Sequence, residues 1–242
     1  LIPVAPSGHP LKDLKEAPTF AAMIPMQVYN TLQVPEEKAI LMEIKHLIIG
    51  GGAIDDTLAN ELKDFPNQVW STYGMTETLS HIALRKLNGT DTSDWYTPFD
   101  NVRIRLSEEG TLIIHAPNVC AEELITNDIA EINEEGKFRI LGRKDNTINS
   151  GGVKIQIEQV ESRLKKHLAT PFLISAQKDA KFGEIVVLIY NKVGNEENIR
   201  RICESELPTY WVPKTYIAVD ELPMTGTGKP DRASARRIAN GE

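Results

Sequence analysis

The sequence predicts a protein of mixed α/β and α+β class, with an α/β domain, a small β-barrel subdomain and a small α+β C-terminal domain. Helix-like and strand-like apolar patterns alternate over residues 1–96, and short strands with glycine turns fill residues 97–143. The charge balance then changes. Residues 1–143 carry 12 basic and 21 acidic side chains, net −9, whereas residues 144–242 carry 15 and 13, net +2. We therefore place the domain boundary between Arg143 and Lys144.

The first segment predicts a strand–helix–strand unit. Helical spacing runs over residues 18–32, where Pro25 interrupts it, and a short helix follows over 35–44. The apolar run 46–50 predicts a buried strand that ends at three glycines, 50–52. Asp55 and Asp56 can cap the next helix, and residues 68–73 predict a second strand. Strands joined through a helix are parallel with a right-handed crossover, and ligands collect at their carboxyl ends.

The remaining elements are predicted from turns and periodicity. Alternating residues separated by Glu-Glu-Gly turns predict strands at 102–106, 111–115, 129–132 and 137–141, which suggest a small barrel or sheet. The last hundred residues predict a glycine-turned hairpin at 147–155, helices at 158–167 and 195–207, strands at 171–177, 184–190 and 214–219, and a final basic helix.

Composition excludes several classes of function. The chain has 27 basic and 34 acidic residues, net −7, and no long basic run, so we expect no nucleic-acid partner. Its apolar stretches are too short to span a bilayer, and no secretory leader is visible, so we expect a cytoplasmic protein without a membrane partner. Cys120 and Cys203 have no metal-like spacing and are predicted to be reduced thiols.

Residues 71–77, Ser-Thr-Tyr-Gly-Met-Thr-Glu, stand at the end of the second predicted strand. They offer an aromatic ring, a glycine that permits close backbone approach, a hydroxyl and a carboxylate. That set suits a nucleotide, with stacking for a base, a hydroxyl for phosphate and a carboxylate for a divalent cation. A buried tyrosine and a helix-capping Thr-x-x-Glu pattern are the structural alternative.

Two further segments have equally open interpretations. The loop 223–232 is not a Walker phosphate loop, because Pro223 stands where a glycine is needed and Pro230 replaces the Ser/Thr. It is either a surface turn or a hinged loop that delivers Lys229 to an anionic centre. Gly-Arg-Lys-Asp at 142–145 followed by Ser-Gly-Gly at 150–152 is, by itself, a charged turn and a hairpin.

The order of these segments resembles the acyl-adenylate-forming superfamily, which comprises acyl-CoA and aryl-CoA ligases, luciferases and peptide-synthetase adenylation domains. The glycine-rich strand end, Tyr-Gly-Met-Thr-Glu, Thr126-Asn127-Asp128, Gly-Arg-Lys-Asp…Gly-Gly and Pro-x-Thr-x-x-Gly-Lys follow one another from residue 47 to the C-terminus. The resemblance implies an ATP-dependent acid–CoA ligase that forms an acyl-AMP intermediate. It also implies ATP or AMP, Mg²⁺ and coenzyme A as ligands, and a lid role for residues 144–242.

The resemblance also implies a role for each matched residue. Gly52, Ala53 and Ile54 would form part of the adenine wall, and Tyr73 with Gly74 would lie against the base. Thr76 would contact phosphate, and Glu77 would hold Mg²⁺. Asp128, assisted by Arg143, would bind the ribose. Asp145 would be the hinge of the lid, Gly151 and Gly152 would border the CoA thiol channel, and Lys229 would be the catalytic lysine of adenylation.

The acid substrate is predicted from the residues after Glu77. Thr78, Ser80 and His81 would floor the acyl pocket, and polar groups there favour an aromatic or dicarboxylic acid over a fatty chain. The stretch is similar to the o-succinylbenzoate–CoA ligases of menaquinone biosynthesis. The alternatives are another aryl- or acyl-CoA synthetase, and, for His81, a structural histidine in the core.

The superfamily's phosphate loop is absent from these residues, so we expect residues 1–143 to be a partial α/β large domain and the chain to be the C-terminal part of a longer enzyme. It would then be inactive alone, or only a non-catalytic nucleotide-binding module. A sheet cut in half would also expose an unpaired strand, which favours a homodimer. A second departure from the superfamily is local: the usual Thr-Gly-Asp is Thr126-Asn127-Asp128, in which the aspartate is kept.

Overall fold

The computed structural model describes residues 2–4, 7–54, 56–225 and 229–242. The chain divides into two compact units. The first comprises residues 1–126 and 130–139, and the second comprises residues 127–129 and 140–242. The border thus falls near residue 140 and runs through two strands, while the boundary predicted at 143/144 stays a prediction.

The first unit is built on a sheet in which three parallel strands precede two antiparallel ones. The order is β1-β2-β3-β4-β5, with β1–β3 parallel. Helices α1 and α2 connect β1 to β2, and α3 connects β2 to β3, so the predicted strand–helix–strand unit is confirmed. The elements are β1 (Phe20–Met23), α1 (Pro25–Leu32), α2 (Pro35–Glu43), β2 (His46–Ile49), α3 (Asp56–Leu62), β3 (Gln68–Gly74), β4 (His81–Lys86) and β5 (Thr97–Pro98).

The helical spacing predicted over 18–32, with an interruption at Pro25, is wrong before Pro25 and confirmed after it. Phe20–Met23 is a strand, and Pro25 occupies the first turn of α1 instead of interrupting a helix. Proline is favoured at this position because the first helical N–H groups have no intrahelical acceptor. The structure does not describe Asp55 or the side chain of Asp56, so the helix cap predicted at these residues lies outside the described part of the chain.

A second sheet contains the strands in which the chain passes from one unit to the other. Its order is β6-β7-β8-β9, from β6 (Arg103–Leu106), β7 (Thr111–His115), β8 (Leu124–Ile132) and β9 (Phe138–Arg143). The four predicted strands are therefore confirmed as one sheet, and closure into a barrel stays a prediction. Both β8 and β9 cross the border between the units.

The second unit is an α+β body around one sheet of five strands. Its strands pair in the order β11-β10-β13-β12, and β14 adds parallel to β13. The elements are β10 (Thr147–Ser150), β11 (Val153–Gln156), α4 (Ile157–Lys165), β12 (Phe172–Asp179), β13 (Gly183–Asn191), α5 (Glu196–Glu206), β14 (Thr215–Val219) and α6 (Arg232–Asn240). The predicted hairpin, helices and strands are confirmed, with ends that differ by at most two residues.

Each unit buries its own apolar core. In the first unit, side chains of α1–α3 pack on the parallel strands, with Leu41, Leu47, Ile49 and Leu62 fully buried. In the second, α4 and α5 pack on one group of strand residues and α6 packs on another. Cys120 and Cys203 are free thiols. Every helix in the described part of the chain is too short or too polar to cross a lipid bilayer.

Candidate functional site

Two glycine-containing strand ends lie side by side in the first unit. A Cβ on Gly50, at the end of β2, would lie 2.2 Å from Thr72 Oγ1 on β3, so a larger residue there would require the Thr72 side chain to move. Gly51 follows with φ +75°, a conformation that glycine adopts without strain. Gly52 is half-buried, Ala53 is exposed, and Ile54 packs partly against the apolar core. The three residues predicted for the adenine wall therefore lie in the turn that leaves β2.

Gly74 ends β3 at a point where the chain folds back on itself. A Cβ there would lie 2.2 Å from the Ser80 carbonyl oxygen and 2.6 Å from His81 Cα. The pairing of β3 with β4 shifts register between Tyr73 and Gly74. The glycine that was predicted for close approach to a ligand is thus also required by the return of the chain into β4.

A tight turn displays Thr76 and Glu77 to solvent. A 3₁₀ helix spans Thr76–Thr78, and both side chains are exposed. Thr78 is buried instead. Its hydroxyl accepts from the Met75 N–H at 3.0 Å and lies 2.7 Å from the Ser80 carbonyl oxygen. Thr78 therefore holds the turn together, and its role in an acyl pocket stays a prediction.

Tyr73 belongs to an aromatic cluster that sequence reasoning missed. Its ring centroid lies 5.1 Å from that of Phe138, in an edge contact, and 5.9 Å from that of Tyr96. Tyr96 stacks on Phe138, and its hydroxyl lies 2.8 Å from the hydroxyl of buried Ser71. The three rings come from distant parts of the chain, and the pairing of Tyr96 with Phe138 brings two of them together. In the sequence, the cluster is indicated only by the several aromatic residues within residues 95–99.

A groove of about 780 Å³ runs along β4 and β5 of the first unit. His81 lines it together with Trp70, Phe99, Val102 and Asn118. The His81 ring meets Phe99 edge-on at 5.5 Å, and its Nδ1 lies 3.0 Å from Ser80 Oγ. Thr78 and Ser80 are not among the described residues that line the groove. Mostly apolar walls with a few polar groups are typical of small-molecule sites.

In the second unit, three predicted site residues form one ion-pair chain. Arg143 reaches Asp128 Oδ1 at 3.3 Å with one guanidinium nitrogen and Asp145 Oδ2 at 3.4 Å with another. Asn127 also donates to Asp145 Oδ2, at 3.3 Å. The structure thus joins the predicted ribose-binding aspartate to the predicted hinge aspartate through Arg143. Asn127, the departure from the superfamily's glycine, is a direct partner of the hinge residue.

The glycine hairpin between β10 and β11 is exposed. Gly151 and Gly152 have φ values of +59° and +87°, which explains the residue type at both positions. The Gly151 N–H donates to the Phe182 carbonyl at 2.8 Å, and a Cβ on Gly151 would meet the Phe182 ring at 3.2 Å. The turn before β13 therefore supports this hairpin.

Lys229 closes a turn that precedes α6. Its N–H donates to Thr225 Oγ1 at 3.1 Å, the Thr225 N–H donates to the Lys229 carbonyl at 2.7 Å, and the side chain is exposed. The residues between them, 226–228, lie outside the described part of the chain. Immediately after the turn, Asp231 caps α6 by accepting from the Ser234 N–H, and this bond lowers the pKa of the Asp231 carboxyl.

The sequence matches two family descriptions. "AMP-binding enzyme" matches residues 3–124, half of the chain, and "AMP-binding enzyme C-terminal domain" matches residues 173–229. The chain belongs to the AMP-binding enzyme family. This identification confirms the resemblance to adenylate-forming enzymes, and the two matches follow one another along the chain in the predicted order.

Individual relatives of this AMP-binding chain are ligases by name. A curated 2-succinylbenzoate–CoA ligase of Bacillus cereus is 29% identical over 81% of this chain and 47% of its own length. A solved acyl-CoA synthetase (AMP-forming)/AMP-acid ligase II-like protein of Dyadobacter fermentans is 32% identical, with a TM-score of 0.57 over 95% of this chain and 68% of its own. The o-succinylbenzoate CoA synthetase of Bacillus subtilis, solved with the acyl-adenylate intermediate OSB-AMP, is 23% identical, with a TM-score of 0.72 over 89% of this chain and 50% of its own.

The chain spans about half the length of the curated relatives it matches, 45% to 52% of those compared. The solved neighbours confirm the mixed helix-and-sheet fold.

Proposed function

We propose that the protein containing this chain is an ATP-dependent acid–CoA ligase. In the first half-reaction an acid carboxylate attacks the α-phosphorus of ATP, which gives acyl-AMP and pyrophosphate. In the second, the thiol of coenzyme A attacks the acyl carbon and AMP leaves. The observation that carries the proposal is family membership over residues 3–124 and 173–229, together with relatives named as CoA ligases.

The nucleotide is proposed to use the strand ends of the first unit and the ion-pair chain of the second. The turn at 52–54 and the Tyr73 ring would contact adenine, with the aromatic cluster fixing the ring. Asp128 would accept hydrogen bonds from the ribose hydroxyls. Its side chain is only 15% exposed and already carries one guanidinium bond from Arg143, so its carboxylate is held in place before a ligand arrives.

Charge is the main obstacle in the first step, because a carboxylate and a triphosphate repel each other. Mg²⁺ fits the residues present. Glu77 is exposed, no hydrogen bond or ion pair within the described residues engages its carboxylate, and Mg²⁺ usually takes one or two carboxylates plus substrate phosphates. The described residues contain no three-ligand protein cluster that would hold a metal unaided. When bound, Mg²⁺ would offset the phosphate charge, and Thr76 would donate to a phosphate oxygen.

Lys229 is proposed to supply the second positive charge of adenylation. Its exposed ammonium group would bind the acid carboxylate and the α-phosphate oxygen together, which lowers the repulsion between them. Loss of one such preorganised partner typically costs about 3–4 kcal/mol in the barrier. Asp145 is the proposed hinge that moves the lid, so that Lys229 withdraws and the Gly151–Gly152 hairpin borders the thiol channel.

We infer that the acid is o-succinylbenzoate. The groove along β4 supports this, since His81 and Asn118 add polar groups to walls that include Trp70 and Phe99. Aromatic walls suit the benzene ring, and a half-buried imidazole can donate to a carboxylate or keto oxygen. The names of curated relatives point to the same acid.

A ligase for another carboxylic acid is the second candidate. The Dyadobacter fermentans protein is more similar in sequence, at 32% identity, than the curated succinylbenzoate ligases, at 24% and 29%, and its name specifies no acid. The two candidates share every residue proposed for the nucleotide and differ only in what the His81 groove binds.

Acid-dependent exchange of labelled pyrophosphate into ATP separates these functions. We expect exchange by the complete gene product with o-succinylbenzoate, and at least tenfold less with benzoate or a saturated fatty acid. His81→Ala should raise KM for the acid and leave KM for ATP unchanged, and Glu108→Ala, at an exposed position that is not among the groove-lining residues, serves as its control. Exchange supported best by a different acid would favour the second candidate. No exchange with any acid would favour a nucleotide-binding module.

A further inference from the structure

Two buried oxygen atoms lie together without a hydrogen-bond donor in the second unit. Gln156 Oε1, at the end of β11, and Glu158 Oε2, in the first turn of α4, are both solvent-inaccessible and have no partner among the described residues. Both approach Gly142, since a Cβ built on that residue would lie 2.8 Å from the first and 2.5 Å from the second. The two acceptors therefore border the same small space. Buried polar atoms are rarely left unpaired, because each lost hydrogen bond is costly.

The other polar atoms of both side chains are engaged with residues at the start of the lid. Gln156 Nε2 donates to Thr147 Oγ1 at 2.8 Å. Asn146 Nδ2 donates to Glu158 Oε1. Gln156 and Glu158 thus connect segment 142–146 and the following Thr147 to the β11–α4 junction, and they contact both Gly142 and Asn146.

Cationic groups in the neighbourhood do not serve as the missing donor. Arg232, on α6, makes two 2.7 Å bonds to Glu161 and a third to the Ile174 carbonyl, so it acts on Glu158 only through space. Glu161 is the other charged group that acts on Glu158. The 3₁₀ turn at residues 144–146 contributes the neutral amide of Asn146. With the Gln156 amide oriented so that Nε2 donates to Thr147, a proton on Glu158 is the remaining donor among the described residues.

We propose that Glu158 is a neutral carboxylic acid whose O–H donates to Gln156 Oε1, and that this acid–amide pair anchors segment 142–146. Burial supports it by raising the pKa of Glu158, an effect that exceeds the lowering by the Asn146 bond, the backbone N–H of Glu158 and the charge of Arg232, while Glu161 raises the pKa further. The anchor is strongest when Glu158 is protonated and loosens when it ionises. If segment 142–146 contains the hinge, a point that rests on the proposed function, the hinge is fastened in a pH-dependent way.

The sign of the pH dependence follows from the raised pKa. Stability from this pair is complete below the ordinary carboxyl value of 4.5 and is lost as the pH rises through the higher folded-state pKa. Within that window the ratio of folded to unfolded protein falls about tenfold per pH unit from this one group. Glu158→Gln removes the dependence, because an amide cannot ionise and can donate to Gln156 Oε1 at every pH.

Urea unfolding of the intact chain between pH 4 and pH 9 tests the proposal. The folded-to-unfolded ratio of Glu158→Gln, divided by that of the unaltered chain, should rise about tenfold per pH unit within the window and then level off. Glu221→Gln, at an exposed carboxylate outside the helices and strands, is the matched control and should change this ratio much less than Glu158→Gln does. A constant ratio for Glu158→Gln, or one that falls, would overturn the proposal.

A second measurement needs no variant. The side-chain amide signals of Asn146 and Gln156 in nitrogen-15 NMR spectra should shift together, with one apparent pKa above the ordinary carboxyl range. An apparent pKa within or below the ordinary carboxyl range would show that Glu158 is ionised and that a water molecule fills the gap between the two oxygens. That result would also overturn the proposal. Neither measurement uses nucleotide or acid, so the outcome is independent of the ligase activity.

Discussion

Gly74 shows how strictly one residue type can be required at a strand end. Any Cβ there would collide with the backbone of Ser80 and His81, which cannot move without breaking the β3–β4 pairing. Gly74→Ala should therefore destabilise the first unit by about 2–3 kcal/mol, the usual cost of forced overpacking. Gly110→Ala is the control, since a Cβ there meets nothing within 4 Å and only the φ of +81° is strained, at about 1 kcal/mol. Urea unfolding that gave equal losses would contradict this assignment.

The buried Glu161–Arg232 pair makes the second residue-scale prediction. Glu161 is 8% exposed, accepts two 2.7 Å bonds from Arg232 and also accepts from the Ile174 N–H. Glu161→Ala leaves the half-buried guanidinium of Arg232, whose side chain is 26% exposed, without its partner and should cost about 1.5–3 kcal/mol. Chemical denaturation measures this loss. Glu123→Ala breaks the exposed Arg105 pair and should leave stability unchanged, because solvent screens that pair. A small loss for Glu161→Ala would show that Arg232 is solvated.

Residue-scale features divide into those that the sequence predicts and those it does not. Positions 50, 74, 151 and 152 were predicted to be special because glycine in a turn is a local signal. The Tyr73–Tyr96–Phe138 cluster was missed because its members come from distant parts of the chain. The Gln156–Glu158 pair was missed because a glutamine and a glutamate two positions apart look like exposed polar residues in the sequence, and only the structure shows that their oxygen atoms are buried. The internal use of the Thr78 hydroxyl was missed for a different reason: a buried threonine and a site threonine look alike in sequence.

At the scale of elements, the apolar runs and caps determine most of the fold. Strand β2, the β10–β11 hairpin and helix α5 match the predictions because each has a buried run, a glycine turn or a capping residue of its own. Pro25 was misread because proline both breaks helices and begins them, and only the position of the first hydrogen bond distinguishes the two. Strand β4 was not predicted, since it has no regular alternation of polar and apolar residues.

The N-terminal cap of α5 gives an element-scale prediction. The Asn195 side chain accepts from the Asn198 N–H at 2.9 Å, which satisfies one of the free donors of the first turn. Asn195→Ala should lower the stability of the second unit by about 1 kcal/mol, and Asn195→Asp should restore most of it. Thermal unfolding followed by circular dichroism measures the shift. An Asp variant as unstable as the Ala variant would mean that the side chain does not cap the helix.

At the scale of the whole molecule, the exposed edge of the first sheet predicts self-association. Strand β1 ends the sheet order, and Phe20 on it is 56% exposed, close in sequence to exposed Ile24, Met26 and Tyr29. Unpaired strand edges beside apolar side chains pair readily with other chains. We expect a concentration-dependent dimer in light scattering, weakened by Phe20→Lys. A monomer at all concentrations would contradict this expectation.

The division into two units is the whole-molecule feature on which the proposed reaction depends. Both the proposed adenine contacts and the acyl groove belong to the first unit, whereas Asp128, Arg143, Asp145 and Lys229 belong to the second. The composition shift near residue 143 indicated two bodies from sequence. The assignment of residues 127–129 to the second unit was not predictable, because it depends on which strand segments pair.

The most direct test of the central claim compares the two half-reactions in the complete gene product carrying Lys229→Ala. Pyrophosphate exchange should fall about 10²–10³-fold, the typical loss for one preorganised charge. Thioester formation from purified acyl-AMP and coenzyme A should stay within about threefold of the unaltered enzyme, since Lys229 is proposed to act in adenylation alone. Unchanged exchange, or an equal loss in both steps, would contradict the claim that Lys229 serves only the first step.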